Sequence, residues 1–381
     1  MIEPHGGYLV HRMVDRSRYG ESIGVGAEAP HIYLDDDAFN DALNIASGTF
    51  SPLTGFMTRD DLLKVARDMT LEDGTVWPLP ITLDVENDVT SQLKPGERAI
   101  LHGPDGNVMG FLDIEDIYRY NATEIAEHVF GTVDTDHPGV RYFLNQSEFF
   151  VGGDVTVFDD YRYNSYDLRP AESRVLFREY GWNTVVGFQT RNVPHRGHEY
   201  IQKCALELVD GVLVQPKLGK KKPGDYRDEV ILDSYRQLVE HYYRDDRVAL
   251  SVFPSRMRYA GPREAVFDAI VRKNQGCTHF IIGRDHAGVA DYYDAGQSRR
   301  IFSAIDDIGI EPLLFEHAFY CRACDGMCSD KVCPHADDQR VYPSGTEIRA
   351  IVQSGKRPSP KVMRPEIASY ITDVESPFVE G

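Results

Sequence analysis

Residues 187–200 read Gly-Phe-Gln-Thr-Arg-Asn-Val-Pro-His-Arg-Gly-His-Glu-Tyr. Gln189, Arg191, Asn192, His195, Arg196 and His198 can all donate hydrogen bonds, and none of them is a carboxylate. Such a donor set suits an anion. Pro194 can end the loop, and Gly197 removes a side chain where a phosphate would approach closely. With a helix starting near Arg196, His195 lies at its mouth and His198 in its first turn, so both imidazoles can face one phosphate. His-x-Gly-His alone is equally a polar loop with a capping histidine. The density of donors at a strand-to-helix junction decides for the anion site.

The flanking residues supply that junction. Thr184, Val185 and Val186 form a short β-type run, and Tyr200, Ile201, Cys204, Ala205, Leu208 and Val209 recur at helical spacing. In an open α/β sheet, ligands bind at the carboxyl ends of the strands. A helix N-terminus there adds free N–H groups and a positive dipole end, both suited to phosphate.

From about residue 171 the pattern alternates. Strands are expected at 211–215, 248–253, 278–282 and 311–315. Helices are expected at 228–243, from Pro262 onward and at 299–308. Short connections between alternating elements imply a parallel, doubly wound sheet. A second polar cluster, Gly283-Arg284-Asp285-His286-Ala287-Gly288, follows the strand at 278–282 and should lie on the same sheet edge. Its glycines permit close backbone approach, Arg284 and His286 add donors, and Asp285 can accept from a ribose hydroxyl. The lysines at 217, 220, 221 and 222 read as a solvated loop.

Residues 1–170 lack this alternation. Turn signals separate short β-type runs at 77–85, 98–102, 108–114 and 154–158, with helical spacing at 60–69 and 114–129. A β-rich, barrel-like domain with a few helices is expected, and 48–57 reads as a packed loop.

Near the other end, Cys321, Cys324, Cys328 and Cys333 stand close to His335. Cys-x-x-Cys is a zinc half-site, and Cys333-Pro334-His335 can supply the other half. Cys321, Cys324, Cys333 and His335 are the expected ligands of a tetrahedral, structural Zn²⁺, and Cys328 is able to replace one of them. Ser344-x-x-Glu347 fits a capping box, which assigns Arg349 to packing rather than to phosphate.

The 381 residues carry a net charge of −19, which argues against a general nucleic-acid binder. No apolar run is long enough to span a bilayer, and no basic-then-apolar leader begins the chain, so no membrane partner and a cytoplasmic location are expected.

Gln189-Thr190-Arg191-Asn192 followed by His195-Arg196-Gly197-His198 resembles the signature of ATP sulfurylases, within the wider HxGH nucleotidyltransferases. Residues 283–288, 257–264, 4–7 and 51–57 fit the same family in order. The resemblance implies an α/β protein: a β-rich PUA-like domain at 1–170, a Rossmann-like catalytic domain at 171–318, and a zinc-binding, helical region at 319–381. It implies sulfate adenylyl transfer, from ATP and sulfate to adenosine 5′-phosphosulfate and pyrophosphate, with Mg²⁺ arriving with ATP, in a homo-oligomer. By this analogy Gln189, Arg191 and the Ala287 N–H hold sulfate, and Thr190, Arg191 and Asn192 align it. His195 and His198 stabilise the phosphates, while Gly283, Arg284, Asp285 and His286 seat the nucleotide. The alternative is an HxGH adenylyltransferase with a different, phosphorylated acceptor.

Overall fold

The computed structural model describes residues 2–19, 29–283, 286–289, 291–294 and 296–380. Arg284 and Asp285, both named above, lie outside the described residues.

The first part of the chain builds a seven-stranded sheet. Its main path runs Met13–Val14, Phe149–Phe158, Val108–Tyr118, Arg98–His102, His31–Tyr33. Two short strands, Gly55–Phe56 and Leu83–Val85, also pair with Phe149–Phe158. Helices Asp36–Ala46 and Arg59–Asp68 begin at Asp35 and Thr58, whose side chains accept from backbone amides of the first turn.

Two expectations fail here. Only Leu83–Val85 of the run 77–85 is a strand, because Pro78 and Pro80 lack the N–H that a ladder needs. Residues 114–118 continue a strand instead of starting a helix. A register shift between Ile114 and Asp116 breaks the two-residue alternation, so the run mimics helical spacing. The helix begins only at Ala122, capped by Asn121.

The second sheet is parallel throughout. Its order is Val248–Leu250, Gly211–Leu218, Val185–Thr190, His279–Ile282, Glu311–Leu314, with Phe253–Pro254 as a further short partner of Gly211–Leu218. The chain winds outward from Val185–Thr190 in one direction and from His279–Ile282 in the other. The switch point lies between these two neighbours, where a crevice opens at their carboxyl ends. The 189–198 and 283–288 clusters follow those same two strands, so topology alone brings them together.

Helix Pro262–Gln275 runs between the two sheets and is buried on nearly every side. Asn274 donates to the carbonyls of Thr49 and Ser51, Arg263 to those of Val65 and Ala66, and Arg258 pairs with Asp41 at 2.6 Å. The expected helix at 299–308 is instead one α-turn, Gln297–Arg300, and a 3-10 turn, Ile301–Ser303. Asp306 and Asp307 would sit at its negative C-terminal end, and Gly309 follows with φ 73°.

Beyond the sheet, Ala318–Cys321 and Gly326–Ser329 form an antiparallel hairpin joined by Arg340–Val341. Helix Pro365–Asp373 closes the far side, where Tyr370 on it donates to Asp233 of helix Asp228–Tyr242. Among the described residues no helix is long and apolar enough to cross a membrane.

Candidate active site

The crevice holds about 310 Å³. Gln189, Thr190, Arg191, Asn192, His195, Gly197 and His198 line one side, and Gly283, His286, Ala287 and Gly288 face them. Of the described residues of the two clusters, Val193, Pro194 and Arg196 do not line it. The Arg196 guanidinium donates to the Pro360 carbonyl, and its amide to that of Val362, so this side chain anchors the C-terminal segment instead.

Strand Val185–Thr190 carries Gln189 and Thr190 to the rim. The Thr190 hydroxyl accepts from the Asn192 amide at 3.2 Å, which turns the loop back toward the sheet. Helix Arg196–Leu206 then starts with His195 as its cap: Nδ1 accepts the His198 N–H at 3.2 Å. A Cβ on Gly197 would stand 3.1 Å from this ring, so the glycine leaves room for the imidazole to fold over the helix end. The two imidazoles stack with centroids 3.6 Å apart.

Their protonation follows from these contacts. Because Nδ1 of His195 accepts, its neutral ring carries the proton on Nε2. Buried Tyr235 sits 3.3 Å from His198 Nδ1, and burial raises its phenol, so the hydroxyl stays protonated beside that nitrogen. Burial lowers His198 to about 4, and burial together with the stacked neighbour holds His195 well below the usual range. Both rings are therefore neutral donors at pH 7.

Arg191 supplies the formal charge, with its guanidinium 5.5 Å from the centroid of the Tyr259 ring. On the opposite wall Ala287 has φ 54°, a left-handed conformation that costs an L-residue about 1 kcal/mol. His286 Nε2 lies 3.1 Å from Asp268 Oδ2. Burial opposes ionisation of Asp268, but Lys217, His286 and Arg272 around it hold the carboxyl well below its usual range. An ionised Asp268 accepts from Nε2–H, leaving Nδ1 of His286 to the other side.

Lys217 corrects the reading of the lysine run. It sits on a strand buried along its whole length, 2.7 Å from Glu264 and 2.9 Å from Asp268. Lys221 is also half-buried and pairs with Asp228. Helix Pro262–Gln275 buries two carboxylates four residues apart, Glu264 and Asp268, and Lys217 and Arg272 neutralise them.

Several lining residues carried no site signal in the sequence: Phe315, Glu316, His317 and Pro343. Glu316 is the carboxylate on the rim and pairs with Arg299 at 2.7 Å. Tyr235 and Asp268 reach the histidines from distant helices. The pair Glu264 and Asp268, at helical spacing within an apolar stretch, is the signal that could have found a buried cation.

Behind the motif helix, Cys321, Cys324, Cys333 and His335 bring one ligand atom each to within 4.8 Å of one another. Cys324 and Cys333 sulfurs stand 3.9 Å apart, and His335 Nδ1 lies 3.2–3.6 Å from the three sulfurs. A tetrahedral ion with bonds of about 2.3 Å to sulfur needs sulfurs about 3.8 Å apart. The donor set therefore fits a metal ion closed off from solvent ligands.

A donor-lined crevice at the switch point of a parallel sheet, over a histidine-capped helix, is a site built for an anionic ligand. Residues 164–374 match the ATP-sulfurylase family, and residues 2–160 match the PUA-like domain. The chain belongs to the ATP-sulfurylase family. It is similar to proteins named sulfate adenylyltransferase from Halothermothrix orenii (45% identity, 97% of this chain and 98% of that one) and from Staphylothermus marinus (46%, 99% and 99%). It shares its fold with a solved chain described as hexameric APS kinase from Thiobacillus denitrificans, at TM-score 0.78 and 23% identity over 99% of this chain and 69% of that chain.

Proposed function

We propose that the protein is a sulfate adenylyltransferase that joins ATP and sulfate to give adenosine 5′-phosphosulfate and pyrophosphate. The observation that carries this reading is the arrangement of Gln189, Arg191, Asn192, His195 and His198 around one crevice, in a chain 45% identical to named sulfate adenylyltransferases over almost its full length. A sulfate oxygen attacks the α-phosphorus in line, one S–O–P linkage forms, and the bond to pyrophosphate breaks. Sulfate is a dianion, so no proton has to be removed and no general base is required. Catalysis is then positioning and charge stabilisation.

On this reading Gln189, Arg191 and the Ala287 N–H hold sulfate, with Thr190 and Asn192 shaping the loop that aligns it. His195 and His198 aim ring N–H donors at the α-phosphate as charge builds in the pentacoordinate state. Gly283, Arg284, Asp285 and His286 seat the nucleotide. Mg²⁺ bound with ATP would supply charge neutralisation at the departing pyrophosphate. Zn²⁺ held by Cys321, Cys324, Cys333 and His335 is structural and stiffens the hairpin that packs against the motif helix. We place the working divisions at residues 1–170, 171–318 and 319–381. The test is pyrophosphate release from MgATP that requires sulfate, with phosphorylated acceptors such as pantetheine phosphate as the competing arm.

A further inference from the structure

Arg191 points into the crevice, but the ring beneath it is held from outside the catalytic sheet. Tyr259 adopts φ 57°, a left-handed conformation unusual for an aromatic residue. Its carbonyl accepts from the Tyr293 hydroxyl at 2.9 Å. Tyr293 has one proton, and it is used there. The same hydroxyl lies 3.1 Å from His137 Nε2, so it accepts from the imidazole. His137 is fully buried, and its Nδ1 accepts the amides of Gly139 and Val140 as the cap of helix Pro138–Leu144. Its single proton is therefore on Nε2, and every donor and acceptor of the chain is matched. Burial lowers His137, which keeps it in this neutral form.

The surroundings fit this chain of contacts. Gly261 has φ 50°, and a Cβ there would lie 2.7 Å from the Tyr293 ring, so the ring lies flat on bare backbone. Tyr292 donates to Asp134 at 2.7 Å, a second tether to the same turn of the first domain. On the other flank Arg256 covers the Tyr142 ring at 3.5 Å. The segment that carries Tyr259 is thus moulded by residues 134–142, within the stretch that matches the PUA-like domain.

We propose that His137 is a positioning residue for the oxyanion subsite: through the Tyr293 hydroxyl and the Tyr259 carbonyl it sets the ring on which Arg191 rests. The inference rests on Arg191 holding sulfate, as proposed above. It gives the first domain a direct part in sulfate affinity.

Two variants separate this role from folding. Tyr293→Phe keeps the ring on Gly261 and removes only the hydroxyl. His137→Asn keeps an oxygen for the helix cap and removes the donor to Tyr293. Each should raise the KM for sulfate about fivefold, the effect of one lost hydrogen bond, with the KM for MgATP and kcat little changed and the melting temperature lower by only a few degrees. The double variant should be no worse than either single one. An unchanged sulfate KM, or sulfate and MgATP KM rising together, overturns the proposal and leaves the enzymatic reading intact. A wild-type enzyme whose pyrophosphate release ignores sulfate overturns both.

Discussion

The imidazoles of His195 and His198 lie face to face at 3.6 Å, and the ring of one caps the amide of the other. Two stacked rings in a cleft cannot both take a proton cheaply, so the pair serves as two neutral donors and leaves formal charge to Arg191.

Removing a donor aimed at a developing oxyanion costs about 10²–10³ in kcat. His198→Ala should fall in that range with a smaller change in KM. His195→Asn should show a similar kcat loss while retaining the cap, and His195→Ala should lose a further ~1 kcal/mol of stability. Steady-state kinetics together with thermal melts separate the two contributions. An unchanged kcat in His195→Asn would remove that ring from the chemistry.

The neutral rings also tie stability to pH. His198 falls from 6.5 unfolded to about 4 folded, and buried His5 does the same. Their contribution is complete above pH 6.5 and declines as the pH drops toward 4. Between pH 6.5 and 5, above most carboxylates, His198 alone accounts for at most about 2 kcal/mol, because its ring keeps an open edge to the cleft. Urea midpoints across this window should slope less steeply in His198→Gln than in wild type; equal slopes would contradict the assignment.

Lys217 is buried with Glu264 and Asp268. Lys217→Met leaves two carboxylates without their nearest cation and should destabilise by about 3–5 kcal/mol in denaturant unfolding. Asp268→Asn also takes the anionic acceptor from His286, so activity should fall by more than the loss of folded protein accounts for.

The cysteine cluster predicts about one tightly bound zinc per chain, measurable by elemental analysis. Cys324→Ser should release it and lower the melting temperature, and a strong chelator should do the same to wild type. A metal content that stays the same in Cys324→Ser would exclude that residue as a ligand.

Local signals were readable in the sequence, and long-range ones were not. Residues 189–198 and 283–288 are contiguous, and each follows an apolar strand, so both junctions and their shared edge could be inferred. The convergence of Cys321, Cys324, Cys333 and His335 was readable because their spacing itself encodes it. Lys217 was misread because neighbouring lysines suggest solvent, whereas its strand is covered on both faces. Tyr235, Asp268 and His137 come from three separate helices or their caps, with no spacing that links them to the motif. The strand ending at Tyr118 was hidden by a bulge that imitates helical periodicity.

The central claim is tested most directly by pyrophosphate release from MgATP, coupled to pyrophosphatase and measured with and without sulfate. The account predicts release that requires sulfate in wild type and drops at least about a hundredfold in His198→Ala. Release independent of sulfate, or equal in the two proteins, would contradict it.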